Sequence, residues 1–105
     1  MLLRIWKVAL TPGKAVELEA FAQTTSLPMF QEQPGCRSVF FTRTETACVT
    51  VTVWDSERSV EQLEASDRYR QVVRTIEHSG ILGDSTIPRH IAYTESMRIP
   101  RCLGC

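Results

Sequence analysis

The chain has 105 residues, which is the usual size of one domain. Its 12 basic and 12 acidic residues balance, so the charge does not favour binding to a nucleic-acid backbone. The hydrophobic content is 43%, and no apolar run approaches the roughly 20 residues that a membrane span needs. The first seven residues meet charge too early for a signal peptide. We therefore expect a cytoplasmic protein with neither nucleic acid nor membrane as a partner.

The first third of the chain predicts a strand followed by a helix. Residues 2–10 are apolar and partly alternating, as is typical of a strand. Residues 13–32 carry Leu18 and Phe21 at helical spacing, which favours a helix. Pro28 lacks a backbone N–H, so it should kink or break that helix.

The next two runs predict an antiparallel hairpin. Residues 36–43 form one strand, and residues 48–54 alternate cleanly between valines and other side chains. The short connection at residues 44–47 joins the two strands. Cys36 and Cys48 then lie roughly 20 Å apart along the hairpin, too far for a disulfide bond.

The second half predicts two helical pieces and a final strand. Asp55 or Ser56 is a suitable N-cap for the first piece, and Ser66-Asp67 can cap a second one. Gly80 is the natural end of that second helix, and residues 87–94 read as the last strand. The second piece carries apolar side chains at helical spacing, namely Tyr69, Val72, Val73 and Ile76.

The order β-α-β-β-α-β predicts an α+β, ferredoxin-like domain with a four-stranded antiparallel sheet and two helices on one face. We assign residues 1–96 to this domain and residues 97–105 to a tail. Cys102 and Cys105 in that tail are spaced like half of a metal site or like a redox pair. A metal site would need two further ligands, and a redox pair would need a following helix. The open face of the sheet needs a cover, and a second copy of the chain is the simplest one.

Four groups of residues stand in order along the chain: Trp6-Lys7-Val8 before Thr11-Pro12-Gly13-Lys14, then Gln33-Pro34-Gly35-Cys36, Val53-Trp54-Asp55-Ser56-Glu57 and Ser66-Asp67-Arg68-Tyr69. In this order they resemble the antibiotic biosynthesis monooxygenase family, over residues 4 to 94. The resemblance implies a dimeric α/β barrel in which two sheets pack face to face. Its members include cofactor-independent oxygenases of polycyclic phenols, haem-degrading enzymes and proteins without an assigned activity, so the fold alone does not give the function.

The haem-degrading branch of that family is disfavoured by this sequence. Its asparagine, tryptophan and axial histidine would fall on Trp6, Leu63 and Val73, and a valine cannot bind iron. His78 lies five residues further on, about 140° around the helix from the ligand direction. We therefore expect no metal and no cofactor.

The candidate site combines strand 1 with the last helix. Arg4 and Trp6 share one face of the strand, and we expect them to border a ligand cleft if that face looks toward the helices. Tyr69 and His78 would line the opposite wall, with His78 as the base because histidine titrates near neutral pH. This makes Trp6, Tyr69 and His78 the catalytic candidates.

Structural roles compete with each of these assignments. Trp6 and Tyr69 can serve the core, His78 can interact with the helix dipole, and Arg4 can be a solvated charge. The remaining substrate-contact candidates, besides Arg4, are Phe21 and Trp54, although Trp54 can equally be a packing residue.

The function favoured by the sequence is a small, cofactor-independent monooxygenase acting as a homodimer on an aromatic or quinol-type molecule. Two alternatives remain open. One is a non-enzymatic dimeric module that binds a hydrophobic ligand. The other is an isomerase or cyclase that moves a proton without O2.

Overall fold

A computed structural model describes residues 1–83 of the chain and the backbone of residues 90–95. The predicted α+β, ferredoxin-like order is confirmed in that part of the chain. The elements are β1 (Leu2–Ala9), α1 (Ala15–Phe21), a π-helical turn (Ala22–Ser26), α2 (Leu27–Gln31), β2 (Cys36–Arg43), β3 (Ala47–Trp54), α3 (Glu57–Ala65), α4 (Asp67–His78) and β4 (His90–Glu95).

The four described strands form one antiparallel sheet in the order β2-β3-β1-β4. β1 is central, and it pairs with β3 over its whole length and with β4 from Leu2 to Lys7. The predicted last strand, residues 87–94, overlaps β4, but its first three residues lie outside the described part. The predicted tail, residues 97–105, also lies outside it.

Alternation along the central strands separates the two faces of the sheet. On β1, Arg4, Trp6 and Val8 are buried, whereas Leu3 and Ile5 on the other face are only partly covered. The buried face packs against the helices. This is the orientation under which Arg4 and Trp6 were expected to border a ligand cleft. Its apolar core forms two clusters. The first contains Trp6, Val8, Leu10, Leu18, Cys48, Ile76 and Ile81, and the second contains Met29, Phe30, Trp54, Val60, Leu63 and Val72.

Pro28 was expected to kink or break the first helix, and the structure shows an interruption of the regular α-helix by a π-helical turn, Ala22–Ser26, just before it. The chain stays helical through Gln31, and Pro28 lies in the first turn of α2. Directly before it, the N–H of Leu27 bonds to the carbonyl of Ala22, five residues back, which makes a π-helical turn. This turn shifts the hydrogen-bond pattern directly before Pro28, which accommodates a residue without an N–H inside a continuous helical segment.

The second helical region is divided as predicted. The side chain of Ser56 accepts a hydrogen bond from the N–H of Ser59 at 3.3 Å, and Ser66 accepts one from the N–H of Tyr69 at 3.3 Å. The cap at Ser66 begins α4 and places Tyr69 in its first turn. This start of α4 brings Tyr69 to the buried face of β1.

Candidate functional site

A cavity lies between the sheet and the helices where the two core clusters meet. The space between its walls, including the part open to solvent, is about 380 Å³. We call it the Arg4 cavity. Its polar lining residues are Arg4, Ser26, Thr50 and Tyr69, and its apolar ones are Trp6, Met29, Phe30, Phe41, Val72, Val73 and Ile76.

A second cleft of about 490 Å³ adjoins the Arg4 cavity. The two share Trp6 and Ser26, together with Phe41, Thr50 and Ile76. The second cleft, which we call the Phe21 cleft, extends along α1 and β2 to Leu18, Glu19, Phe21, Ala22, Thr42, Arg43 and Cys48. The structure therefore places Phe21 at the opening next to the cavity, not in it.

Arg4 is the most unusual residue of the cavity, since its side chain is 2% exposed. Its Nη2 donates a hydrogen bond to the Tyr69 hydroxyl oxygen at 2.6 Å. The same nitrogen lies 4.0 Å from a carboxylate oxygen of Glu64, whose side chain is 41% exposed. The Nε of Arg4 is buried without a hydrogen-bond partner among the described residues.

Tyr69 joins the last helix to the central strand. Besides the hydrogen bond, the Arg4 guanidinium carbon lies 5.2 Å from the centre of the Tyr69 ring, within the range of a cation–π contact. Trp6 is buried on the same strand face as Arg4 and lines both the cavity and the cleft. The structure thus brings three sequence candidates together: Arg4, Trp6 and Tyr69.

The expected position of His78 at the cleft is not found. His78 ends α4 with an exposed side chain and lines neither the Arg4 cavity nor the Phe21 cleft. The inner face of α4 carries Val72 and Ile76, and a residue two positions after Ile76 points about 160° away from it. His78 occupies the last helical turn, where its other predicted role, interaction with the helix dipole, remains available.

Trp54 also lies away from both spaces. Its side chain is 0% exposed, and its indole N–H donates to the Thr52 hydroxyl at 2.7 Å. Its ring contacts Phe30 with centroids 6.5 Å apart. The structure therefore supports the packing role that competed with substrate contact.

Two hydroxyl residues that line the cavity, Thr50 and Ser26, were not among the site residues predicted from the sequence. Thr50 pairs with Trp6 in the sheet and shares its buried face, so alternation could have identified it. Ser26 closes the π-helical turn, and the changed helical phase there left no periodic signal for its position.

Thiol chemistry is not favoured in the Phe21 cleft. Cys48 is buried, and burial raises the pKa of its thiol above the ordinary value, against a smaller lowering by a hydrogen bond with Thr50. A thiol with a raised pKa stays protonated and is a poor nucleophile near neutral pH. We therefore treat Cys48 as a core residue.

The described lining does not fit a haem held by histidine. No histidine lines the cavity or the cleft in residues 1–83. Val73 lines the cavity and Leu63 belongs to the second core cluster, so neither position of the haem pattern offers a ligand. The same described residues contain no group of three or more histidine, cysteine, aspartate or glutamate side chains arranged for a metal ion.

Comparison with protein families assigns the chain. The antibiotic biosynthesis monooxygenase profile matches residues 1–75, so the chain belongs to this family. The match covers β1 through most of α4, including Arg4, Trp6 and Tyr69. A comparison with curated protein sequences finds no significant match.

Solved structures share the fold at low sequence identity. A Deinococcus radiodurans protein named for the same family is 13% identical, with a TM-score of 0.77 over 99% of this chain and 100% of its own. Rv0793 from Mycobacterium tuberculosis is 16% identical, with a TM-score of 0.71 over 95% and 98% of the two chains. A variant of SnoaB, a cofactor-independent oxygenase from Streptomyces nogalater, is 13% identical, with a TM-score of 0.71 over 95% and 97%.

The helices in the described part of the chain are short and amphipathic. None of them is both long and apolar enough to cross a bilayer.

Proposed function

We propose that this protein is a cofactor-independent monooxygenase that oxidises a flat aromatic or quinol-type molecule in the Arg4 cavity. The observation that carries the proposal is an apolar, aromatic-lined cavity that contains the paired donors Arg4 and Tyr69. Membership of the antibiotic biosynthesis monooxygenase family also supports an oxygenase function. One structurally similar protein is itself named a cofactor-independent oxygenase.

The chemistry needs an electron-rich anion in a site from which water is excluded. The ionised substrate passes an electron to O2, and the substrate radical and superoxide combine to a peroxide anion. The proton that the substrate lost on ionisation returns to this anion and gives a hydroperoxide. Loss of water then leaves a quinone, so one oxygen atom enters the product and the other leaves as water. Arg4 and Tyr69 would stabilise negative charge on the substrate oxygen, and Trp6 and Phe30 offer aromatic surface for its rings.

The proposed assembly is a homodimer that forms the α/β barrel of the family. Leu3, Ile5, Val51 and Val53 are only partly covered on the face of the sheet opposite the helices. On the same face, Phe40 is paired with Val51 and is 55% exposed. A contiguous apolar face of this kind is the usual mark of an interface.

The proposed location is the cytoplasm. Cys36 and Cys48 are free thiols, as expected for a reducing compartment.

Oxygen consumption tests the enzymatic proposal. Anthrone is added to the purified protein in an oxygen electrode, and anthraquinone is followed by absorbance, with spontaneous oxidation subtracted. We expect one O2 consumed per quinone, and kcat/KM reduced at least about tenfold in Tyr69→Phe and Arg4→Met. Arg58→Met, at an exposed position on α3, is the matched control and should leave the rate unchanged.

The alternatives predict different results in the same assay. Conversion of an aromatic ketone under nitrogen, without O2 uptake, would support an isomerase or cyclase. Binding without turnover across a panel of anthrones and hydroquinones would support a non-enzymatic module. His78→Ala tests the remaining sequence hypothesis, since a large loss of rate there would restore the histidine as a base.

A further inference from the structure

Arg4 is a buried cation whose ion pair with Glu64 is long. The guanidinium is always ionised, yet its side chain is 2% exposed and cannot be solvated by bulk water. The carboxylate of Glu64 lies 4.0 Å away and is itself partly in solvent. The Nε–H of Arg4 has no acceptor among the described residues. A buried N–H group ordinarily has an acceptor. The unpaired Nε–H of Arg4 therefore points to an acceptor supplied by a ligand.

Among the described residues that line the cavity, Arg4 is charged and none is negative. The cavity's other described polar residues are Ser26, Thr50 and Tyr69, which carry neutral hydroxyl groups. No carboxylate and no imidazole lines it among the described residues, and His78 is exposed outside it. The described lining can therefore receive a negative charge, but it contains no carboxylate or imidazole that could take a proton from the ligand to create one.

Tyr69 provides a second donor beside Arg4. Its oxygen accepts the hydrogen bond from Arg4 Nη2, so the hydroxyl proton is directed away from that bond. A tyrosine that accepts from a cation is a better donor to a third group, because hydrogen bonds in a chain polarise one another. Arg4 and Tyr69 thus form adjacent donors in one cavity.

We propose that the natural ligand of the Arg4 cavity enters as an oxyanion, and that its anionic oxygen binds to Arg4 and Tyr69. The oxyanion is a carboxylate or an ionised phenol or enol. The aromatic body of the ligand lies against Trp6 and the apolar lining. This inference deepens the proposed function and rests on it for the location of the site, but it concerns binding and does not require reaction with O2.

Calorimetry with two ligands of matched shape tests the proposal. 2-Naphthoate and its neutral amide, 2-naphthamide, are titrated into the full-length protein under nitrogen at pH 7. We expect naphthoate to bind about 10- to 100-fold more tightly, the range for hydrogen bonds to a charged group. Arg4→Met should bind the two equally, and Arg4→Lys should restore only part of the preference because a lysine lacks the Nε–H and the planar fork.

The matched controls separate ligand binding from general damage. Arg58→Met makes the same chemical change at an exposed site and should keep the full preference. Tyr69→Phe keeps the ring and should lose part of it. Circular dichroism and thermal unfolding establish that each variant is folded. If Arg4→Met does not fold, Arg4→Lys and Tyr69→Phe still decide the question.

A phenol distinguishes the two sources of the oxyanion. 2-Naphthol is neutral at pH 7, and its ionised form has its own absorption band. If the site serves phenols or enols, the band of the ionised form should appear on binding near neutral pH and vanish in Arg4→Met. If only naphthoate binds tightly and naphthol stays neutral, the ligand is a carboxylate.

Three results would overturn the inference: equal affinity of the wild-type protein for naphthoate and naphthamide, a preference that survives in Arg4→Met, or no binding of naphthoate at millimolar concentration. Each is independent of oxygenase activity. Anion preference without O2 uptake would remove the proposed function and keep the anion site. O2 uptake without anion preference would keep the oxygenase proposal and remove the anion site.

Discussion

Arg4 and Tyr69 depend on each other for hydrogen bonding, although 65 positions separate them in the sequence. Loss of the tyrosine hydroxyl would leave a buried cation with one fewer acceptor. Loss of the arginine would leave the Tyr69 hydroxyl without its donor, but this neutral group can bond to another partner. The two residues should therefore couple energetically, as groups in one buried network usually do.

We expect Tyr69→Phe to lower the free energy of unfolding by about 1–3 kcal/mol in the wild-type background, because it leaves Arg4 Nη2 without its acceptor. In an Arg4→Met background the same substitution should cost less than half as much. Urea denaturation of the four proteins gives the double-mutant cycle. Equal costs in both backgrounds would show that the contact carries no coupling.

Residue alternation predicted part of the site. It placed Arg4 and Trp6 on one strand face, and the structure shows that face buried. It could not predict that an arginine would be almost fully covered, because this depends on Tyr69 arriving from a distant helix. The exposed position of His78 could have been predicted, since the helical period that puts Ile76 inside puts a residue two positions later outside.

At the scale of elements, Gly35 shows how closely the loop before β2 approaches α3. Its φ is +82°, and a Cβ there would lie 2.6 Å from the Cβ of Ser59. Its carbonyl also accepts the N–H of Asp55 at 2.9 Å, which joins the start of β2 to the end of β3. Both the backbone conformation and the space therefore require glycine.

Gly13 provides a matched comparison, because its φ is +83° but a Cβ added there would have no other atom within 4 Å. We expect Gly13→Ala to lower stability by about 1 kcal/mol through the backbone alone. Gly35→Ala should lose about 1–3 kcal/mol more through the clash with Ser59. Urea midpoints of the two variants measure the difference, and equal losses would contradict the contact.

The order of the elements was predictable because residues at their boundaries, such as helix caps, mark where they begin. Ser56 and Ser66 supply caps, and both are used in the structure. The π-helical turn was not predictable, because Pro28 indicated only a disturbance and several backbone solutions accommodate a proline. That turn matters for the site, since Ser26 at its end lines the Arg4 cavity.

For the whole molecule, the proposed homodimer explains why two faces of one sheet are apolar. The helices cover one face, and a second copy would cover the other. A chain of 105 residues has a modest core, so the additional burial would also stabilise the fold.

Phe40→Asp tests this assembly. It places a charge on the uncovered face, on the edge strand β2, where Phe40 is 55% exposed, and we expect it to convert the proposed dimer to a monomer at micromolar concentration. Val16→Asp on α1, where the valine is 76% exposed on the helical side, should leave the dimer intact. Sedimentation velocity gives both masses. A monomeric wild-type protein, or a dimeric Phe40→Asp variant, would remove the proposed interface.

The central position of β1 has a consequence for how such a protein can change. Its backbone bonds to β3 and β4 are independent of side-chain identity, whereas odd and even positions serve opposite faces. Substitutions at Arg4 or Trp6 can thus retune ligand preference while the sheet and the opposite surface keep their form. A one-residue insertion or deletion within β1 would exchange the two sets of side chains at once, so evolution of new specificity should proceed here by replacement and not by change in length.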